Sequence, residues 1–127
     1  DSFLNSLQNM HTFKTESDVA AHLHYQLLKH SHFGLSFPSI VASDKNATVL
    51  HYTRNTDPLD TTQLLLLDFG ARWQQMHADI SRTIPLSGTF NPLQKILYQI
   101  VLDAQDVVDF PAILFEGKDH DKQRASH

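Results

Sequence analysis

The chain contains no cysteine. Disulfide frameworks and thiolate metal sites are therefore excluded, and the absence fits a reducing compartment such as the cytoplasm. Basic residues are not in excess: ten Lys and Arg stand against fourteen Asp and Glu, for a formal net charge of −4. That balance supplies no electrostatic reason to expect nucleic acid or an anionic membrane as a partner. Apolar stretches stay far short of the ~20 residues that a membrane span needs, and no secretory signal pattern opens the chain. Internal repeats and low-complexity segments are also missing.

What is present reads as an ordinary soluble globular chain. Its 127 residues are 41% apolar and 19% charged, enough for one domain, residues 1–127, with a real core. The chain starts at Asp1 inside a stretch of helical pattern and closes on a polar run, residues 116–127, that has nothing to bury and reads as a frayed terminus. Both ends have the look of a piece of a longer protein. Nine histidines are many for this length. His22, His24, His30 and His32 stand at mixed spacings, and no pair flanks a Glu on one helical turn, so these four read as surface residues.

Along the chain, Phe3, Leu4, Leu7, Met10 and His11 recur at offsets of three and four, the stripe of an amphipathic helix over residues 1–12. A second helix starts at Thr15, where Thr15-Glu16-Ser17-Asp18 has the form of a capping box. Val19, Ala20, Leu23, Leu27 and Leu28 continue its stripe, and Gly34 is its expected terminator. A strand over Ser36–Ser43, a turn at Asp44–Ala47 and a second strand over Thr48–Thr53 follow, the last from its β-branched and aromatic content. Leu64-Leu65-Leu66-Leu67 is a continuous apolar run, the pattern of a strand buried on both faces, and it ends in Asp68. The segment from Trp73 to Ile84 reads as the next strand, with Met76, Ala78, Ile80 and Ile84 on one face and His77, Asp79, Ser81 and Thr83 on the other. Asn91 and Pro92 then launch a helix whose core stripe is Leu93, Ile96, Leu97, Ile100, Val101, Ala104 and Val108, closed by Pro111.

A carboxylate at the end of a leucine strand is poorly solvated and must be paired or must bind a metal. Asp79 lies eleven positions beyond Asp68. A hairpin centred near Trp73-Gln74 sets the two directly opposite, with Cβ atoms about 4.5–5.5 Å apart. At that distance one carboxylate is protonated or a cation sits between them. A hard divalent ion suits such ligands, and paired ions activate water for hydrolysis. The same spacing also allows Asp68 to cap the turn before Gly70 while Asp79 pairs with Arg82 or Arg72.

The residues around the pair carry more. Leu66-Leu67-Asp68-Phe69-Gly70-Ala71, followed by Ala78-Asp79-Ile80-Ser81-Arg82-Thr83, resembles the creatinase-like "pita-bread" metallopeptidases of the M24 type. These include aminopeptidase P, prolidase and methionine aminopeptidase. Phe37-Pro38-Ser39-Ile40-Val41-Ala42, Asn46-Ala47 and His51-Tyr52 are similar to the segment leading to the family's substrate-binding histidine, and the likeness runs from about Thr15 to Gln105. His51 is followed by Tyr52-Thr53 rather than Gly-Ile-Pro, which places the resemblance in the aminopeptidase P and prolidase branch.

The resemblance implies an α+β fold, a curved antiparallel sheet with helices on its outer face, of which this chain is the N-terminal half of the catalytic domain. It implies that Asp68 holds one divalent ion and Asp79 bridges two, Mn²⁺ by preference and Co²⁺ or Zn²⁺ otherwise. His51 would contact the substrate and steady the tetrahedral intermediate, and Phe37 would help line the pocket. The implied reaction is hydrolysis of the bond before a proline at the second position of a peptide. Departures are Ser43-Asp44-Lys45 in place of a glycine-containing turn, Gln75-Met76 in place of a frequent Gly-Tyr pair, and Ser81 for threonine. The family's remaining His and two Glu ligands are absent; Glu116 and His120 are of the right type, but their surroundings do not match. The segment alone is therefore expected to be inactive, and half a domain to dimerise or to be marginally stable. A pseudo-peptidase module that binds peptides or a protein without cleaving them is the alternative reading.

Overall fold

The computed structural model describes residues 10–31 and 33–107. The chain divides into two compact units, Asp1–Thr89 and Phe90–His127. In the first, α1 (Glu16–His30) packs on a three-stranded antiparallel sheet made of β1 (Ile40–Ser43), β2 (Leu64–Phe69) and β5 (Ile80–Pro85), in the order β1-β2-β5. A two-stranded ribbon, β3 (Arg72–Trp73) with β4 (Met76–His77), extends the hairpin that joins β2 to β5. The helix expected over residues 1–12 lies outside the described residues except for Met10–Thr12, which form a 3₁₀ turn.

The cap of α1 forms as its sequence dictates. The Thr15 hydroxyl accepts from the Asp18 amide (3.2 Å) and the Asp18 carboxylate accepts from the Thr15 amide (2.9 Å), satisfying donors that a helix start leaves open. The helix ends at His30, ahead of Gly34, which takes φ 94° in the turn that follows. Val19, Ala20, Leu23 and Leu27 meet Val41, Leu65, Leu67 and Phe69 in one apolar cluster. Leu23, Leu65 and Leu67 are wholly buried there. Each such side chain contributes about 1.5–3 kcal/mol.

Strand β2 does not bury both faces alike. Its burial alternates, with Leu65, Leu67 and Phe69 buried against α1 and Leu64, Leu66 and Asp68 only half-buried on the other side. A leucine run signals that both faces are apolar, but not that a second layer covers them. Ile40, Ala42 and Tyr52 form the smaller cluster that touches Leu66 there.

The strand expected over Thr48–Thr53 is absent. Asp44–Thr48 is a 3₁₀ turn, Leu50 is 91% exposed and His51 has φ 54°, which is incompatible with a strand. Its β-branched residues have no partner strand, because the edge of β1 is taken by a side chain instead. The Val41 amide donates to Asn55 Oδ1 (2.9 Å), and Asn55 Nδ2 donates to the Ser39 carbonyl (2.9 Å). That amide covers an edge that would otherwise present open backbone groups.

In the second unit, helix α2 covers residues 92–107. Asn91 caps it as expected, its Oδ1 accepting from the Gln94 amide (2.9 Å) while Gln94 Oε1 accepts from the Asn91 amide (3.0 Å). The stripe read as core is exposed at Leu93, Ile96, Leu97, Ile100 and Val101. Periodicity defines the face but not what covers it. Val108 and Pro111 lie outside the described residues. No described helix is long and apolar enough to cross a membrane.

Candidate metal centre

The hairpin between β2 and β5 sets the geometry. Its two-residue turn is Gln74-Gln75, where Gln74 at φ 54° supplies the positive φ such turns require. The centre therefore falls one residue later than Trp73-Gln74. Asp68 consequently faces Ser81, not Asp79, across the strand pair. Moving a hairpin centre by one residue moves every pairing by two, so the side chains stay on the same face. Asp79 thus sits diagonally to Asp68, on the face turned away from α1.

At the crossing between ribbon and sheet, Gly70 is indispensable. A Cβ there would lie 1.8 Å from the Ala78 carbonyl oxygen and 2.6 Å from its carbon. This approach holds the backbone just before Asp79, aided by the Ala78 amide donating to the Ala71 carbonyl (3.1 Å) and the Ser36 amide donating to the Gly70 carbonyl (2.9 Å).

The Ser81 hydroxyl donates to Asp68 Oδ1 (3.0 Å). Burial raises the Asp68 carboxyl above its ordinary range; the Ser81 hydroxyl opposes this, and the neighbouring Asp79 carboxylate adds to it by charge and by hydrogen bonding. His51 is near enough for its charge to favour Asp68 ionisation. The fold therefore brings Asp79 against Asp68 and leaves His51 within electrostatic range of Asp68. Phe37 is half-buried ahead of β1 and joins neither apolar cluster of the core.

The alternative pairings of the two carboxylates do not form among the described residues. Arg72 Nε donates to the Phe33 carbonyl (2.8 Å) and Arg82 Nη1 to the Ser81 carbonyl (2.6 Å). Asp68 accepts from a neighbouring strand and does not cap the turn before Gly70.

The histidines of α1 are less exposed than expected. His22 is half-buried with its ring 5.2 Å from that of Phe13. His24 is half-buried, and burial lowers its pKa. His30 is exposed, and His32, Glu116 and His120 lie outside the described residues. Among the described residues no group of three or more His, Cys, Asp or Glu is placed to hold a metal ion.

The chain matches the family model for metallopeptidase family M24 over residues 2–109. It belongs to that family. Among curated relatives it is 33% identical over 102 residues to the Xaa-Pro aminopeptidase of Haemophilus influenzae, covering 80% of this chain and 24% of that protein. To the probable Xaa-Pro aminopeptidase of Chaetomium globosum it is 40% identical over 100 residues, covering 79% of this chain and 17% of that protein. Among solved structures, the X-Pro aminopeptidase of Thermotoga maritima is similar at a TM-score of 0.76 and 30% identity, over 83% of this chain and 30% of that one. Zinc-substituted Escherichia coli aminopeptidase P in complex with product is similar at a TM-score of 0.70 and 31% identity, over 73% of this chain and 21% of that one. The chain thus spans less than a third of each of these proteins, and within that span it has part of the pita-bread fold of aminopeptidase P.

Four further residues in this part of the fold carry structural roles that their sequence does not signal. Ser81 was placed on the correct face but not as the partner of Asp68. Asn55 and Tyr52 were read as loop and strand, and Glu16 only as part of a helix cap. Glu16 is wholly buried, and an acidic residue in the first turn of a helix is too common to signal that.

Proposed function

We propose that this chain is the N-terminal half of the catalytic domain of an Xaa-Pro aminopeptidase, which hydrolyses the bond before a proline at the second position of a peptide. The observation that carries this is the meeting of Asp68 and Asp79 on one sheet face, with His51 within electrostatic range of Asp68.

The donor set suits divalent ions. Burial and the neighbouring Asp79 carboxylate make ionisation of Asp68 costly, which a cation relieves, and carboxylate oxygen is a hard ligand. Asp68 and Asp79 would hold the ions, Mn²⁺ foremost and Co²⁺ or Zn²⁺ as substitutes. When bound, such a pair supplies a water activated for attack on the scissile carbonyl. The Ser81 hydroxyl keeps the Asp68 carboxylate oriented. His51, exposed on its loop, would donate a hydrogen bond to the substrate carbonyl as negative charge develops there. Phe37 would line the pocket for the peptide. Two carboxylates bind divalent ions weakly by themselves, because such sites generally use three or four protein ligands. The remaining ligands must come from outside these residues, and the chain alone is then inactive.

The test is hydrolysis of an Xaa-Pro peptide in Mn²⁺ by the full-length protein, by this chain, and by an Asp79→Asn variant of the full-length protein. Turnover confined to the full-length wild-type protein is the expected result. Turnover retained by Asp79→Asn would overturn the ligand assignment, and none in the full-length protein would favour a module that binds without cleaving.

A further inference from the structure

Glu16 is the one wholly buried ionisable side chain among the described residues, and nothing in the proposed chemistry uses it. Its carboxylate accepts five hydrogen bonds. Oε1 takes the Ser43 amide (2.8 Å), the Ser43 hydroxyl (2.9 Å) and Asn46 Nδ2 (3.0 Å). Oε2 takes the Tyr52 hydroxyl (2.7 Å) and the Asp57 amide (3.1 Å). A carboxylate offers about four lone-pair sites, so this one is saturated, which offsets the cost of burying its charge. The donors come from the end of β1, the 3₁₀ turn after it, and both arms of the loop that carries His51.

Asn55 ties the far arm of that loop to β1, but the stretch that carries His51 is anchored through Tyr52. Leu50 is 91% exposed and His51 and Thr53 are exposed, while Tyr52 is 7% exposed. The Tyr52 ring packs with Ile40 and Ala42, and Ile40 pairs with Asp68 across the sheet. Its hydroxyl ends on Glu16 and also accepts from Asn46 Nδ2 (3.0 Å). His51, the next residue back, sits at φ 54°, a conformation that persists only where its surroundings impose it. A continuous chain of contacts therefore links Glu16, Tyr52 and His51 to the strand bearing Asp68.

We propose that Glu16 is a positioning residue for His51: its buried carboxylate clamps the 46–57 loop through Asn46, Tyr52 and Asp57, and so fixes the imidazole beside the carboxylate pair. This rests on the reading of His51 as the substrate-contacting histidine. Glu16→Gln keeps the shape but turns an amide N–H₂ toward donors, leaving the Asp57 amide or the Tyr52 hydroxyl without its acceptor.

The test is a double-mutant cycle in the full-length protein, with kcat/KM taken per folded molecule. A displacement of a catalytic group by an ångström costs up to about 100-fold, so Glu16→Gln is expected to lower kcat/KM at least roughly tenfold. In a His51→Ala background it should lower it no further, whereas a purely structural residue would act equally in both. In parallel, the ring ¹H–¹⁵N signals of His51 should shift or broaden in Glu16→Gln while those of the exposed His77 stay fixed. Equal losses in both backgrounds, or unmoved His51 signals, overturn the proposal. Should Glu16→Gln fail to fold, Tyr52→Phe removes a single hydroxyl and is expected to give a smaller loss of the same His51-dependent kind; a loss independent of His51 overturns it. If His51→Ala retains full turnover, the catalytic reading of His51 falls, and the ring signals alone decide whether Glu16 positions it.

Discussion

Substituting Gly70 by alanine probes how the site is built. The added methyl would lie 1.8 Å from the Ala78 carbonyl oxygen, where ordinary contact begins at 3.4 Å, so the strands must part by about 1.6 Å. The Ser36 hydroxyl, 3.2 Å from the added methyl, would also have to give by a few tenths of an ångström. Overpacking of this kind costs about 1–3 kcal/mol. Parting the strands also lengthens the bonds from Ala78 to Ala71 and from Ser36 to Gly70, each worth about 1 kcal/mol. The expected loss is about 3–5 kcal/mol, a large share of the ~5–15 kcal/mol that stabilises a folded protein. Urea unfolding followed by the fluorescence of Trp73, the single tryptophan of the chain, reads this as a lower midpoint at unchanged slope. Trp73 stands on the ribbon beside the crossing, its ring 5.2 Å from Phe33, so it also reports local parting before global unfolding. A loss below about 0.5 kcal/mol, the scatter of neutral surface changes, would refute the close approach of Ala78 and Gly70.

Other outcomes follow from the same geometry. His51→Ala in the full-length protein should lower kcat by about 100-fold or more with unchanged unfolding midpoint, as removal of one donor to a developing oxyanion does; a loss in KM alone would assign His51 to binding only. Because hydrogen bonds hold the Glu16 carboxyl below the ordinary glutamate range despite burial, its contribution to stability is complete above the unfolded pKa. It is lost as pH falls through the depressed folded value, so an acid titration of wild type should show a steeper decline than that of Glu16→Gln. Asp68 has the opposite sign: burial and Asp79 raise its folded pKa, so its charged form costs stability above that value and nothing below the unfolded one. Without metal, Asp68→Asn should therefore unfold at a higher temperature than wild type near neutral pH, an advantage absent in strong acid. In the full-length protein, Mn²⁺ at 100 times its dissociation constant should stabilise the wild type by about 2.7 kcal/mol and the Asp79→Asn variant far less; calorimetry with and without chelator measures the difference.

How much of this was legible in the sequence depends on the range of the interactions. Both helix caps formed as read, because Thr15 with Asp18 and Asn91 with Gln94 act within three residues. The faces of β5 were also legible, since alternation along a strand is fixed by the pleat. The hairpin register was not: Gln74-Gln75 carries no turn signal as strong as Asn-Gly, and an error of one residue in the centre sufficed to put Asp79 opposite Asp68. The strand expected over Thr48–Thr53 failed for a different reason. Strand content is a statement about fitting a sheet, and this segment has no sheet to join.

By itself, then, the amino-acid order determined the local pieces: the caps, the apolar stripe of α1, the leucine strand, and two carboxylates on one face of one hairpin. Those depend on residues within a few positions of each other or on a two-residue period that no partner can change. Tertiary structure decided which face of β2 was covered, where the hairpin turned, and how His51 came within electrostatic range of Asp68. It also made Glu16 a buried hub, through bonds to residues between 27 and 41 positions away. Such contacts exist only once the chain has closed on itself, because a carboxylate leaves water only when every donor that replaces water is already in place.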